Sequence, residues 1–378
     1  MPRRLGPQND REGNAPCLRG RRIPSPIRSS PRCFWATRSV TGRRTCAVTR
    51  LQIVSRRSMQ ARCWKFQALT DIWTGDARGQ DAKLIPTGLL GSIRWWFEVL
   101  VRGLGGSACD PTRDGNRCPE KRPAPLDNGH HCVACELFGC TGWARKFRFD
   151  VLDREGNVKR NAIRAGKEFR IKITPLRPIH EEEWELLDAT FRLIAGWGAI
   201  GGKTIFKPSD EEGRSGLPHH RDYGIIEKIN GPADLDGKAR DRIEAYLKEK
   251  RWRKCGQNAF TWASLERFWF VEGGFHLARK SAKKSTFNHV LGRPEPKKQS
   301  RQHPSDGASA WLAGRQRVSK KVFSFKRPKR TFGFTCPGTV NMEEIRRRLK
   351  AVGADPNAVK CGDDILKDLF PGTAGRDR

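Results

Sequence analysis

The chain has 378 residues, with 74 lysines and arginines against 41 acids and a formal charge of +33. That length suits two domains of ordinary size, and that charge requires a polyanion nearby to offset self-repulsion, with nucleic acid the foremost candidate. No run approaches the roughly 20 apolar residues of a membrane-spanning helix and no secretory h-region is present, so the 12 cysteines point to a reducing, cytoplasmic setting where clustered thiols mean metal before disulfide.

Residues 1–58 carry 14 arginines, no lysine and only Asp10 and Glu12 as acids, without a sustained apolar period. They read as a disordered leader. Three origins compete: an organellar transit peptide, a basic arm, or translated upstream sequence with the true start near Met59, which is favoured. Without its 14 basic and two acidic residues the rest keeps +21, so the basic signal does not depend on the leader.

The first strand is expected at Arg62–Thr70, followed by a polar loop and then the segment around which the fold is organised, Ile85–Gly106. Leu89, Ile93, Trp96, Phe97, Leu100, Val101 and Leu104 recur at spacings of three and four, a wide apolar stripe on a helix. Thr87 is the expected N-cap, and Gly103, Gly105 and Gly106 supply the stop. Arg94 falls off the stripe near the helix start, where the dipole opposes a cation; it is either solvated or serving a group outside the helix. Between Ser107 and Glu136 the pattern collapses into Pro, Gly, Asn, Asp and Cys, an insertion. Strands resume with Phe147, Phe149 and Val151 alternating, and again at Glu168–Thr174 with Phe169, Ile171 and Ile173. Glu181–Ala195 is a second helix with three glutamates in its first turn, and Tyr223–Ile229 a last strand. The order strand, helix, strand, strand, helix, strand is ferredoxin-like. The expected class is α+β, with an N-terminal domain over 59–230 holding the insertion 107–136, and a basic α+β domain over 231–378.

Two motifs carry chemistry. GWGAIGGKT at 196–204 is not a P-loop, because the required leading glycine would be residue 197, which is Trp, and because the run follows a helix instead of opening one. It leaves Gly198, Gly201, Gly202 and Lys203 able to bring backbone N–H groups to a phosphate chain, or else a plain helix cap and turn. Cys109, Cys118, Cys132 and Cys135 lie in the one segment without its own core, where four thiolates around a structural Zn2+ would supply crosslinks. His130 and His131 are spare ligands, and Cys140 an ordinary packed thiol.

In the second half Ala233–Arg253 reads as a charged helix, Phe260–Phe270 as aromatic core, and Met342–Val352 as a short helix. Residues 275–335 hold 16 basic and two acidic residues. Within them Phe323, Phe325, Phe332 and Phe334 alternate on two strands whose loop, with Lys326, Arg327, Lys329 and Arg330, faces phosphate. Stacking of exposed Phe on bases is the sharper version, an ordinary core stripe the blander one.

IPTGLLGSIRWW, ELFGCTGWARKFRF and GWGAIGGKT together resemble the RAMP superfamily of CRISPR proteins, most closely the first RAMP subunit of the type III-B Cmr effector complex, over most of 59–340. The resemblance implies RRM-related ferredoxin-like domains and a glycine-rich loop touching RNA. It further implies a non-catalytic subunit holding guide CRISPR RNA and target RNA near the 3′ end of the guide, with other Cmr subunits as partners and no nucleotide cofactor. Carried onto this chain it makes Arg94, Arg145, Lys146, Arg148, Gly201, Gly202 and Lys203 RNA contacts, grouped on one surface, although Lys-Thr stands at 203–204 where an arginine-rich continuation is frequent. The rival is a metal-independent endoribonuclease using His130, His131, His219 or His220 as acid or base.

Overall fold

Strand β1 (Arg62–Ala68) alternates buried Trp64, Phe66 and Ala68 with more exposed Cys63, Lys65 and Gln67, the period-two pattern of a sheet with one face covered. The computed structural model describes residues 56–75, 82–110, 114–202, 208–214, 217–232, 235–255, 260–281, 284–293, 306–315 and 318–371. Residues 1–55 of the expected leader and Lys203 lie outside them, whereas Arg56–Met59 form a 3-10 turn whose Ser58 carbonyl accepts the Ile179 N–H at 3.1 Å.

After β1 comes helix α1 (Pro86–Gly103). Its N-cap is Ile85, not Thr87, and Pro86 occupies the first helical position, where its fixed φ suits the helix and its missing N–H is no loss. The Ile85 N–H is taken instead by Thr74 Oγ1 at 2.8 Å. A short helix α2 (Val133–Phe138) lies inside the insertion. Strands β2 (Phe147–Leu152) and β3 (Glu168–Pro175), helix α3 (Glu181–Trp197) and strand β4 (Ile226–Asn230) complete an antiparallel sheet of order β2-β3-β1-β4, the ferredoxin-like arrangement.

Helix α4 (Ala239–Leu247) leads to β5 (Phe268–Val271), β6 (Arg279–Ser281), β7 (Lys284–Ser285), α5 (Thr286–Val290) and α6 (Gly307–Ala313). Strands β8 (Val322–Lys326) and β9 (Lys329–Phe334) form the expected hairpin, followed by α7 (Met342–Lys350), β10 (Val359–Cys361) and α8 (Gly362–Leu369). The second sheet has the order β10-β5-β9-β8. With β5, β8, β9 and β10 taken as four successive strands, that is the same ferredoxin-like order again.

The two sheets share a core. Trp64 and Phe66 of the first sheet pack on Phe191 of α3 at 4.8 and 5.4 Å between ring centres. On the far side of the helices, Trp96 of α1 meets Phe268 and Phe332 of the second sheet at 5.8 and 5.9 Å. The opposite face of the second sheet, with Trp269, Val271, Val322 and Val359, packs with Phe287 of α5, Leu312 of α6 and Ile345 and Leu349 of α7. The layers are therefore sheet, helices, sheet, helices. The alternating Phe stripe is interior: Phe325, Phe332 and Phe334 are buried and Phe323 alone is half-exposed.

A helix covered on both sides must bury some polar residues, and those must be paired. In α3, Asp188 accepts from Trp64 Nε1 at 2.8 Å, Arg192 Nε at 2.6 Å and Lys228 Nζ at 2.8 Å. Glu183 takes the His180 N–H at 2.8 Å, Lys146 Nζ at 2.9 Å and the Tyr246 hydroxyl at 2.9 Å.

Candidate functional site

The cysteine segment leaves the end of α1 and returns at α2. Cys109, Cys118, Cys132 and Cys135 are all buried, and their Sγ atoms lie within 4.8 Å of one another. The Cys109 and Cys135 sulfurs are 3.7 Å apart, close to the roughly 3.8 Å edge of a tetrahedron with Zn–S bonds of about 2.3 Å. Four thiolates around a divalent ion leave two negative charges in a buried place. Two guanidiniums reach them: Arg94 Nη2 donates to Cys135 Sγ at 3.1 Å and Arg253 Nη1 to Cys118 Sγ at 3.8 Å. The backbone N–H of Cys132 adds a bond to Cys118 Sγ at 3.3 Å. The donor set, its spacing and its compensating charge fit a metal ion.

His130 and His131 are not part of that set. Their Nδ1 atoms share a 2.8 Å contact, and His131 Nε2 lies 2.6 Å from Glu136 Oε2, whose other oxygen pairs with Lys146 at 2.6 Å. Hydrogen bonds from His131 and Lys146 outweigh burial and hold the Glu136 carboxyl down at about 2. A fifth thiol, Cys255, comes within hydrogen-bond reach of Cys118 and Cys132. Lying 120 residues beyond Cys135, it offered no spacing signal.

Arg94 is committed to the interior. Besides Cys135, it gives Nε to Glu98 at 2.8 Å and Nη1 to Gly139 O at 2.9 Å. The group it serves outside its helix is thus the turn and thiols of its own chain. Burial lifts the Glu98 carboxyl above its usual range, and Arg94 and Arg102 draw it back.

The glycine bend also faces inward. Gly198 N–H bonds to Leu193 O and Ile194 O, Ile200 N–H to Gly224 O, Gly201 N–H to Ser92 Oγ and Gly202 N–H to Trp73 O. These groups are spent on the fold, which corrects the expectation that they cradle phosphate. Close packing requires the glycines: a Cβ on Gly198 would stand 2.6 Å from the Trp96 ring, and one on Gly201, with φ +116°, 2.7 Å from Trp73 O.

The expected single cationic surface does not form. Ser92 and Arg94 lie about 200° apart around α1; the first holds the glycine bend and the second the 139–148 turn. Within that turn Lys146 is buried between Glu136 and Glu183, Arg148 is exposed beside Asp150 at 2.8 Å, and Arg145 is exposed.

What the fold does join is the glycine bend and the basic hairpin. Arg330 is on the Phe face of β9 and reaches the carboxyl end of α3, donating to Gly198 O at 2.6 Å and Ala195 O at 2.9 Å. It caps that helix, where the dipole welcomes a cation, and so is not an RNA contact; burial pushes its pKa down to about 10. Arg327 and Lys329 at the turn are exposed, with no ion pair among the described residues. Lys326 pairs with Asp210 at 3.0 Å. An open groove of about 380 Å³ beside the turn is lined by Thr70, Asp71, His220, Arg221, Lys326 and Arg327. Sequence reasoning also passed over the open face of the first sheet, where Arg170 and Lys172 alternate with the buried residues of β3. Their signal was the polar half of the EFRIKIT pattern.

Among the described residues no helix is long and apolar enough to cross a membrane. Residues 65–206 match the family model of the RAMP superfamily. No curated protein matches the chain. Of solved structures, the chain is similar to apo Cmr1 from Pyrococcus furiosus, with TM-score 0.38 and 12% identity, covering 83% of this chain and 98% of that one. It is similar also to a chain of the type III-B Cmr-beta complex bound to cognate target RNA and AMPPnP, with TM-score 0.40 and 10% identity over 76% and 98%. A chain of the type III-A Csm3-Csm4 subcomplex gives TM-score 0.22 and 15% identity over 50% and 93%.

Proposed function

We propose, for a chain whose residues 65–206 belong to the RAMP superfamily, that it is a non-catalytic RNA-binding subunit of a type III-B CRISPR effector of the Cmr kind. In that role it holds guide or target RNA near the 3′ end of the guide, beside other subunits of the complex. The observation that carries the reading is the basic outer edge of the second sheet. β8 is its outer strand; Lys320 precedes it, and at its far end the turn into β9 exposes Arg327 and Lys329 beside Lys326, which is paired with Asp210. Phosphate contacts of this kind fix position without reading sequence. The Cys109, Cys118, Cys132 and Cys135 set is assigned to a structural Zn2+, which would tie the insertion to α1 and contribute to folding.

Cleavage chemistry has little support at the histidines. His130 and His131 are buried against Glu136 and the thiols, 5% and 7% exposed, away from any strand lying on the surface. His220 lines the groove beside Arg327 and is where a nuclease reading would have to be tested. Incubation with labelled single-stranded RNA carrying a CRISPR repeat is expected to give retained, uncut RNA. Cuts that disappear in a His219→Ala/His220→Ala double variant would replace the binder with an enzyme.

A further inference from the structure

A recess of about 310 Å³ opens between α1, the glycine bend and the second sheet. Trp96 and Phe332, each 2% exposed, form its floor, and half-buried Trp95 and Phe323 stand at its mouth. Phe323 stacks on Phe332 at 5.1 Å and 23° between planes. Trp262 closes another side. Six of the ten lining residues are aromatic, and the two hydroxyls are those of Ser92, whose Oγ accepts the Gly201 N–H, and Ser319, whose Oγ accepts from Lys321 Nζ at 3.2 Å.

Aromatic walls alone would suit any flat or apolar group. The mouth, however, carries a cation: Lys320 Nζ lies 5.6 Å from the Phe323 ring centre, whereas Lys321 is buried between Trp262 and Trp311 and turned onto Ser319. Arg327 stands at the turn just past the end of β8, four residues beyond Phe323 and about 13 Å away at the rise of an extended chain. An apolar peptide side chain gains nothing from that charge. A nucleotide unit has both parts, a flat π face for the rings and an anionic backbone for the cations.

We infer that the recess takes one unstacked base of a single RNA strand whose phosphates run along β8. The inference rests on the proposed RNA-binding role and adds the mode of contact. Stacking tolerates every base, so the site holds the strand without selecting sequence.

The test uses the full chain, a short labelled oligouridylate and a strand of equal length whose riboses carry no base. Wild type is expected to bind the base-bearing strand more tightly. Phe323→Ala should weaken that binding about 5- to 100-fold with an unchanged salt slope, and leave the abasic strand unaffected, while Phe323→Tyr retains wild-type affinity. Irradiation of a 4-thiouridine strand on wild type should place the adduct on Trp95, Trp262 or Phe323, a result that needs no variant to fold. Equal affinity of wild type and Phe323→Ala, equal loss for both strands, or adducts elsewhere would overturn the inference while RNA binding stands. Loss of a purified partner subunit with RNA binding intact would overturn it too, by assigning the recess to a protein side chain. Failure of wild type to bind either strand would remove the parent reading itself.

Discussion

Side chains chosen for their chemistry proved to be spoken for by the fold. Arg330 is the clearest case, since its donors meet the open carbonyls of α3. Arg330→Met is expected to cost about 2–4 kcal/mol by stranding those carbonyls and losing a favourable dipole contact, read as a lower urea midpoint, with RNA affinity of the folded fraction unchanged. Gly198→Ala is expected to cost about 1–3 kcal/mol, because the added methyl meets a buried indole in a packed core; thermal unfolding checks it. Lys321 gives a pH signature. Desolvation by burial lowers its pKa to about 8, below the unfolded value, so the unfolded chain binds the proton more tightly and folding bears a penalty at neutral pH. That penalty fades as pH rises from about 8 through the ordinary lysine range. Lys321→Met should therefore be more stable than wild type near pH 7 and lose that advantage near pH 10, by denaturant midpoints at the two values.

Among the elements, the cysteine insertion stands or falls with its metal. Purified chain is expected to carry one zinc, and Cys132→Ser or a strong chelator should release it and expose residues 107–136 to protease before the rest of the chain. Absence of stoichiometric zinc from freshly purified protein would contradict the assignment. The elements were also where the sequence spoke most plainly. The stripe of α1, the alternations of β2 and β3, the acidic first turn of α3 and the hairpin at 322–334 could all be read from period alone, because each buries one face. β10 could not, since a three-residue strand shows no period; α8 was passed over although Ile365, Leu366 and Leu369 stand at helical spacing behind Asp363 and Asp364, because the stripe lasts only two turns. The site was less legible than the fold. A glycine demanded by a tryptophan across the core looks, in one dimension, like a glycine demanded by a phosphate, and a capping arginine looks like a surface one. The cysteines were readable because metal ligands must cluster, whereas Cys255 arrives only through tertiary contact.

At the scale of the whole molecule, the two ferredoxin-like sheets share α1 and α3 between them, so the described residues belong to one compact unit, Ile53–Arg378. Phe332→Ala, at the contact of α1 with the second sheet, should cost about 3–5 kcal/mol, and both sheets are expected to melt in a single transition by calorimetry; two separate transitions would refute the shared core. Charge is the other property of the whole, and it bears on the central claim that RNA lies along the β8 edge. The most direct measurement is the salt dependence of RNA affinity for wild type and for an Arg327→Glu/Lys329→Glu double variant. If two phosphates are held there, the slope of log K against log salt should fall by about 1.4, at roughly 0.7 per phosphate on a single strand, with weaker binding at low salt. A double variant with the slope and affinity of wild type would contradict the account.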